Sequence, residues 1–288
     1  MFTHVHIYTQ GWCAHTGNEF IFCKGKVNML DAIRERVWLG RVLIRVVVEE
    51  PYSIGKQEYL LQANRLTYLP LYLPEILRYF QPFIDHNSDG QWWFEYENTP
   101  LSISRPIGLL FDQYIKPNSS TPWVIKLRRG DQPNALLLDL NSMESLKTVW
   151  VNAFKESAYI RDGNAKAVMS LSKEDQEILW QSFTDADAKN TLQEFWTRMG
   201  QLLAKTKTRS TNWSVPVRVY DAEVRGKTSQ LYAPSTKVNT LGEAVVSHGI
   251  LLPQDLTLGE IYFGLVYPDG FLHLVCRKEE NSKYKIQR

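Results

Sequence analysis

The sequence contains few of the residues from which catalytic and redox sites are built. Its 288 residues include only three cysteines and six histidines. The motifs of serine hydrolases, zinc peptidases, phosphate-binding loops and dinucleotide-binding loops are absent from it. Three cysteines are an odd and sparse set, which is typical of a reducing compartment rather than of a disulfide framework. We therefore expect no catalytic residue in this chain.

Long apolar runs are lacking as well. No segment reaches the roughly 18 consecutive apolar residues that a membrane-spanning helix needs. The first twenty residues also lack the basic and apolar regions of a signal peptide. The net charge is only +2, which requires neither nucleic acid nor a membrane as partner. We expect a cytoplasmic protein that holds no metal and no other cofactor.

Apolar and aromatic residues are plentiful instead. Hydrophobic residues make up 44% of the chain, which includes nine tryptophans and fourteen tyrosines. This content is enough for well-packed cores, and the length indicates two or three domains. Aromatic residues in such numbers favour large cores or interfaces.

Changes of pattern divide the chain into segments. Within about 95 residues the patterns follow the order strand, strand, helix, strand, strand, which is the order of the ubiquitin-like β-grasp. A region of helical periodicity comes next, and strand patterns then return. The predicted fold class is α+β, with two ubiquitin-like β-grasp domains flanking a helix-rich domain. The predicted segments are an atypical N-terminal extension (1–27), a linking helix (28–36), the first ubiquitin-like domain (37–131), the helix-rich domain (132–206) and a shortened second ubiquitin-like domain (213–278).

The N-terminal extension is crowded with histidine and cysteine. The spacing of Cys13 and His15 does not fit a zinc-binding pair, and a zinc site needs four well-placed ligands. We therefore predict no metal site there.

The most distinctive segment is Trp93–Asp112, which is rich in apolar residues but contains neither cysteine nor histidine. We interpret it as the third and fourth strands of the first domain, with Thr99-Pro100 as the turn between them. Glu95 and Glu97 alternate along the strand, which indicates a solvated strand face better than an acid–base pair.

The second predicted ubiquitin-like domain lacks room for its usual helix. Thr240-Leu-Gly-Glu predicts a helix start, yet the chain passes within a few residues to Val246-Ser-His-Gly-Ile. A β-grasp sheet without its full helix would expose an apolar face. Cys276 fits a buried strand better than a nucleophile, and we predict no catalytic role for His248 or His273.

One lysine gains interest from helical geometry. Side chains on the helix predicted over 141–160 rotate by about 100° per residue. Lys155 then points almost opposite to the apolar side of the helix. A solvent-facing lysine usually belongs to a solvated face, but its amine can also serve as a modification site. The residues on the apolar side are Leu146, Val149, Trp150, Ala153 and Ile160.

Several segments together resemble the Atg5 family of autophagy proteins, in family order and over roughly residues 29–277. They include WFEYENTPL from Trp93, PIGLLFD from Pro106, KESA from Lys155, VPVRVY from Val215 and YPDGFLH from Tyr267. The resemblance implies two ubiquitin-like domains flanking a helix-rich domain, as the patterns predict. Residues 1–27 have no counterpart in the family, so they are either a true extension or an error in the predicted start, with Met29 as the more natural beginning. The segment near Gly242 is shorter than in the family.

The resemblance also implies a modification. Lys155 matches the lysine to which the C-terminal glycine of the ubiquitin-like protein Atg12 is joined by an isopeptide bond. The E1-like enzyme Atg7 and the E2-like enzyme Atg10 would make this bond. Atg5-family chains supply no catalytic residue of their own.

Further partners follow from the same resemblance. The family binds the N-terminal helix of Atg16 in a groove formed by all three domains. The complex then acts like an E3, promoting transfer of Atg8 from the E2-like Atg3 to phosphatidylethanolamine in autophagosome formation. This implies a peripheral location at the membrane of the preautophagosomal structure, with Lys166 as a candidate membrane contact and no role for nucleic acid.

Two other functions stay open on the residues alone. The chain could be a ubiquitin-like adaptor that binds a helical partner without being conjugated. It could also be a small hydrolase or isopeptidase, which would require Cys276 or a serine beside a histidine.

Overall fold

The computed structural model describes residues 34–49, 51, 53–84, 90–115, 122–130, 143–185, 195–202, 213–223, 228–236, 244–251 and 257–277. The predicted N-terminal extension lies outside the described residues, as does the start of the linking helix. The described end of that helix, residues 34–38, is helical and is named α1.

A five-stranded sheet and two helices form the first domain. Its elements are β1 (Arg41–Val48), β2 (Gln57–Asn64), a 3-10 helix (Leu69–Tyr72), α2 (Leu73–Phe80), β3 (Gln91–Tyr96), β4 (Thr99–Pro100), α3 (Ile107–Tyr114) and β5 (Trp123–Gly130). The strand order is β2-β1-β5-β3-β4. The central strands β1 and β5 are parallel, and the other pairs are antiparallel. Inward-facing β-branched residues such as Ile44 and Val46 are fully buried beneath the helices.

The helix-rich region follows. Its elements are α4 (Met143–Asp162), α5 (Lys166–Met169), α6 (Lys173–Thr184) and a helix over 195–202, named α7. Gly163, with φ 73°, ends α4 near the predicted position. Ser172 caps α6, because its hydroxyl accepts a hydrogen bond of 3.0 Å from the Asp175 N–H.

A second sheet repeats the topology of the first. Its domain contains β6 (Ser214–Asp221), β7 (Thr228–Pro234), β8 (Ala244–Ser247), β9 (Ile250–Leu251), α8 (Leu258–Leu265) and β10 (Leu272–Arg277). The strand order β7-β6-β10-β8-β9 matches β2-β1-β5-β3-β4 strand for strand, and β6 is parallel to β10. The predicted fold of two β-grasp domains flanking a helix-rich region is thus confirmed.

The interpretation of Trp93–Asp112 was partly wrong. The turn lies at Glu97 and Asn98, whose φ angles are 44° and 59°, and Thr99–Pro100 is itself the fourth strand. Proline is tolerated there because β4 lies at the sheet edge. The apolar run after Pro106 is the helix α3. It is buried along most of its length, so its sequence shows no alternation between apolar and polar residues that would distinguish it from a strand.

The expectation of an uncovered second sheet was also wrong. The connection from β7 to β8 spans only 235–243, whereas that from β2 to β3 spans 65–90 and contains α2. No helix follows Thr240 in the described residues, because 244–247 form β8. However, α8 and α4 both pack against β6, and all six positions of β10 are buried. The helix-rich region therefore helps to cover the second sheet.

Two hydrophobic cores hold these parts together. One lies within the first domain, between its sheet and the helices α2 and α3. The other is shared by the helix-rich region, the second domain and α1, and Trp38, Trp150 and Leu274 all belong to it. Three residues of the first domain, Leu66, Tyr68 and Leu109, also pack into this core. Trp150 packs against Trp180 and Phe183 at ring distances of 5.5 and 5.6 Å.

We expect Gly270→Ala to destabilise this shared core. Gly270 has φ 79°, and an added Cβ would lie 2.1 Å from Ser157 Oγ and 3.1 Å from Phe154 Cδ2 on α4. Left-handed strain and overpacking together predict a loss of about 3 kcal/mol in the free energy of unfolding, measured by urea denaturation. Gly55→Ala is the matched control, because Gly55 also has positive φ but its Cβ would meet nothing within 4 Å. Equal losses in both variants would contradict the packing argument.

Candidate functional site

A cleft of about 250 Å³ lies where the three parts of the fold meet. The helix-rich region supplies an apolar wall, and the two β-grasp domains supply mostly polar groups. The wall comes from one stripe of α4, at positions three and four residues apart. The lining residues are Leu146, Val149, Trp150 and Ala153 from α4; Tyr68, Ser104, Arg105 and Pro106 from the first domain; and Arg218, Tyr220, Thr228, Gln230, Asp269 and His273 from the second.

The apolar wall is fixed by its packing. Leu146 and Trp150 are buried, and Trp150 Nε1 donates a hydrogen bond of 3.1 Å to the Pro268 carbonyl. Val149 and Ala153 are only half-buried and line the cleft. This side of the cleft is therefore a rigid surface with apolar side chains accessible from outside.

A buried hydrogen-bond chain lies on the opposite side. His273 Nε2 donates to Asp269 Oδ2 at 2.9 Å, and its Nδ1 lies 2.8 Å from the Tyr220 hydroxyl. Burial alone would raise the pKa of Asp269, but His273 and Arg218 hold it below its usual value. Burial also raises the pKa of Tyr220 well above its ordinary value. These three residues are connected like the nucleophile, base and acid of a catalytic triad, but the Tyr220 hydroxyl is buried and un-ionised. They therefore form a structural network.

The cysteine that a hydrolase would need is not part of this hydrogen-bond network. Cys276 is buried on β10, as predicted. It lies three positions from His273 on the same strand, so the two side chains point to opposite faces of the sheet. Because a thiol nucleophile needs a base within reach, the pair of Cys276 and His273 does not support hydrolysis.

The expected solvated carboxylate face was wrong for Glu95. Glu95 is buried and forms an ion pair of 3.1 Å with Arg128 on the neighbouring strand β5. Glu97 lies in the hairpin turn rather than in β3. Neither residue lines the cleft.

Two arginines border the cleft, and each is stacked on an aromatic ring. Arg218 lies 3.8 Å from the centre of the Phe271 ring and pairs with Glu156 of α4 at 3.0 Å. Arg105 lies 4.9 Å from the Tyr220 ring. Such cation–π contacts hold a guanidinium in place without neutralising its charge.

A buried junction between the β-grasp domains sets the shape of the cleft. The Asp112 carboxylate, at the end of α3, accepts hydrogen bonds from Arg65 and, at 2.7 Å, from the Gly249 N–H of the second domain. Arg277 of β10 donates to the last carbonyls of α3, including that of Ile115 at 2.7 Å. These contacts join the first domain to the second beside the cleft.

His248 lies in the same junction in a strained conformation. Its φ is 52°, its ring stacks on Tyr267 at 3.8 Å, and its Nε2 donates to the Leu265 carbonyl at 3.0 Å. Burial lowers the pKa of His248 well below its usual value, and the positive charge of Arg65 lowers it further. The ring is therefore neutral in the folded protein.

The two lysines singled out from the sequence lie outside the cleft. Lys155 is on α4 two residues after Ala153, which places it on the other side of the helix, away from the cleft. It is half-exposed rather than fully exposed, and it makes no hydrogen bond or ion pair with any residue that the structure describes. Tyr159, one turn further on, is 63% exposed. Lys166 is exposed at the start of α5.

The sequence reasoning missed the polar lining of the cleft. A signal was present, since Arg218 and His273 each lie between two apolar residues of their strand. A charged or polar residue at such a position must find a buried partner. The partners come from other elements, which strand periodicity alone does not identify.

Neither a metal site nor a membrane span is found in the described part of the chain. No group of three or more His, Cys, Asp or Glu residues within it is placed to hold a metal ion. None of its helices combines the length and the apolar character needed to cross a bilayer.

Comparison with known families and structures gives consistent matches. The family description "Autophagy protein ATG5, UblA domain" matches residues 37–129, and "Autophagy protein ATG5, alpha-helical bundle region" matches residues 143–205. Autophagy protein 5 of Scheffersomyces stipitis is 32% identical over 217 residues, covering 70% of this chain and 72% of the relative.

More distant relatives extend the likeness along the chain. Autophagy protein 5 of Drosophila melanogaster is 26% identical over 83% of this chain and 94% of its own length. The crystal structure of Kluyveromyces marxianus Atg5 superposes with a TM-score of 0.73 at 28% identity, covering 86% of this chain and all of that structure.

The neutral state of His248 predicts a pH dependence of stability. Below the ordinary histidine pKa of about 6.5 the unfolded chain takes up a proton that folded His248 does not, so the free energy of unfolding falls as the pH falls. The His248 contribution to this slope is at most about 1.4 kcal/mol per pH unit. Asparagine tolerates positive φ, so His248→Asn should give a shallower slope between about pH 5 and 6.5 in urea denaturation. Equal slopes in the two proteins would show that His248 titrates normally.

Proposed function

This chain belongs to the autophagy protein 5 family, and from that membership we propose that it serves autophagy as the non-catalytic scaffold of an E3-like conjugation complex. In this proposal Atg12 is joined to Lys155, and the N-terminal helix of Atg16 binds in the three-domain cleft. The complex promotes transfer of Atg8 from Atg3 to phosphatidylethanolamine in autophagosome formation.

The properties of Lys155 support its role as acceptor. The Lys155 Nζ attacks the thioester carbonyl that links the C-terminal glycine of Atg12 to the cysteine of Atg10, a thioester that Atg7 first prepares. The isopeptide bond forms, the cysteine thiolate leaves, and the amine loses a proton. A lysine held in an ion pair would resist this step, and Lys155 has no carboxylate partner among the described residues.

The cleft is the observation that carries the rest of the proposal. Its volume of about 250 Å³ suits a few side chains rather than a whole helix. An amphipathic helix would therefore lie across its mouth and insert apolar side chains against Val149 and Ala153. All three parts of the fold contribute to the lining, so the cleft exists only when the domains are assembled.

A peripheral membrane contact completes the proposal. Lys166 and Met169 occur together on the short helix α5, where Met169 is 68% exposed. A cation beside an apolar side chain fits the surface of an anionic membrane such as that of the preautophagosomal structure. Away from such membranes the protein would be cytoplasmic.

The alternative of a non-conjugated adaptor is favoured by one observation. Lys155 and the cleft lie on different sides of α4, so a helix could bind in the cleft whether or not Lys155 is modified. Binding of the Atg16 helix without any adduct in cells would support this alternative.

Lys155→Arg should abolish the covalent adduct while leaving the fold intact. Arginine keeps the charge, but its guanidinium does not act as the amine nucleophile. The readout is the band shift of Atg12 size in reconstitution with Atg7, Atg10, Atg12 and ATP. Lys173→Arg, on the exposed face of α6, is the matched control and should be conjugated normally. An adduct that persists in Lys155→Arg would disprove the assignment.

Val149→Arg should weaken binding of the Atg16 helix. The substitution places a long charged side chain in the cleft, and we expect the dissociation constant to rise more than tenfold, which corresponds to about 1.4 kcal/mol. Thr148→Arg adds the same side chain at a neighbouring exposed position that does not line the cleft. It should bind within about twofold of the unsubstituted chain by isothermal titration calorimetry. Equal affinity for both variants would place the helix elsewhere.

A further inference from the structure

We propose that Arg105 is a specificity-determining residue of the cleft, which selects a helix carrying a carboxylate beside its apolar stripe. The inference rests on the proposed function, since it concerns the helix that binds in the cleft. It adds the chemical feature by which the cleft distinguishes one amphipathic helix from another.

The charged side chains that line the cleft differ in whether they have a partner of opposite charge. Asp269 is paired with His273 at 2.9 Å, and Arg218 is paired with Glu156 at 3.0 Å. Arg105 has only neutral acceptors, the Gln113 amide and the Thr228 hydroxyl, each at 2.9 Å. Among the charged side chains lining the described cleft, the Arg105 guanidinium is the one without a carboxylate partner.

Arg105 is held ready for such a partner. Its two hydrogen bonds link Gln113 in the first domain to Thr228 in the second, and the Tyr220 ring supports it from one side. The bond to Thr228 lies at an exposed position, so the guanidinium is accessible. A guanidinium already fixed in place loses little conformational entropy when it binds a carboxylate.

The layout of the cleft defines the helix that fits. Val149 and Ala153 offer apolar contacts on the α4 wall, while Arg105 and Tyr220 come from the β-grasp domains. A helix seated on the α4 wall turns one edge of its apolar stripe toward Arg105. A glutamate or aspartate at that edge would form a charge-assisted hydrogen bond. A helix with lysine or arginine there would be rejected by like-charge repulsion.

A double-mutant cycle tests the pairing. The probe is a synthetic peptide of the N-terminal helix of Atg16, titrated into the full-length chain by calorimetry. Arg105→Gln should weaken binding about tenfold at low salt, because the loss of one charge-assisted bond of about 1.4 kcal/mol corresponds to that factor. One acidic residue of the peptide, when changed to its amide, should weaken binding to the unsubstituted chain but not to Arg105→Gln.

Two controls keep the outcome interpretable. Arg78→Gln removes an exposed arginine on α2, far from the cleft lining, and should leave the affinity unchanged. Arg105→Lys keeps the charge but not the planar fork, so it should retain part of the salt-dependent affinity. Thermal unfolding of Arg105→Gln should match that of Arg105→Lys, which separates lost recognition from lost domain packing.

The possible results are distinct. If Arg105→Gln binds like the unsubstituted chain while Val149→Arg binds more weakly, the cleft holds the helix but Arg105 does not select it, and this inference is wrong. If Arg105→Gln loses affinity but no acidic residue of the peptide couples to it, Arg105 acts only in domain packing, which also overturns the inference. If the peptide ignores both substitutions, the proposed binding site itself fails.

Discussion

The buried carboxylate of Asp112 is the contact on which the arrangement of the domains depends. It accepts hydrogen bonds from Arg65 within its own domain and from the Gly249 N–H of the other β-grasp domain. The side chains of Arg65 and Asp112 are both buried, so removing either one would leave the other charge without water or counter-charge, at a cost of about 3–5 kcal/mol. Glycines make the geometry possible, since a Cβ at Gly40 or Gly108 would lie 2.7 Å from the Arg65 side chain. The cleft inherits its shape from this junction.

Much of the fold could be predicted from the sequence, because the strands have recognisable local sequence patterns. The β-branched runs of β1 and β6 and the capped start of α6 are local signals, and the structure has elements there. The errors arose where tertiary packing overrides local pattern. The helix α3 is buried on nearly every side, so Ile107-Gly-Leu-Leu carries no polar face to mark it as a helix. The hairpin at Glu97-Asn98 was misplaced by two residues, because Thr99-Pro100 has the composition of a turn but the position of an edge strand.

Less of the functional surface could be predicted from the sequence. The α4 stripe was predicted, with Leu146, Val149, Trp150 and Ala153 on one side, and the structure places all four in the cleft. The polar side was not foreseen, because its members lie far apart in sequence, from Tyr68 to His273, and meet only through the folded domains. Lys155 could be placed on a helix from its sequence, but its exposure was overestimated, since the structure leaves it half-exposed.

The short connection over 235–243 has a consequence for how the chain folds. The second β-grasp domain lacks room there for a helix like α2, and α4 contributes to the core in its place. Its sheet therefore has no hydrophobic core of its own, since Val217, Leu274 and Trp150 belong to one cluster. We therefore expect the helix-rich region and the second β-grasp domain to unfold together, with α4 common to what topology would call separate domains. An excised second domain would expose the apolar surface that α4 normally buries, and it would aggregate or stay unfolded rather than behave as a portable module.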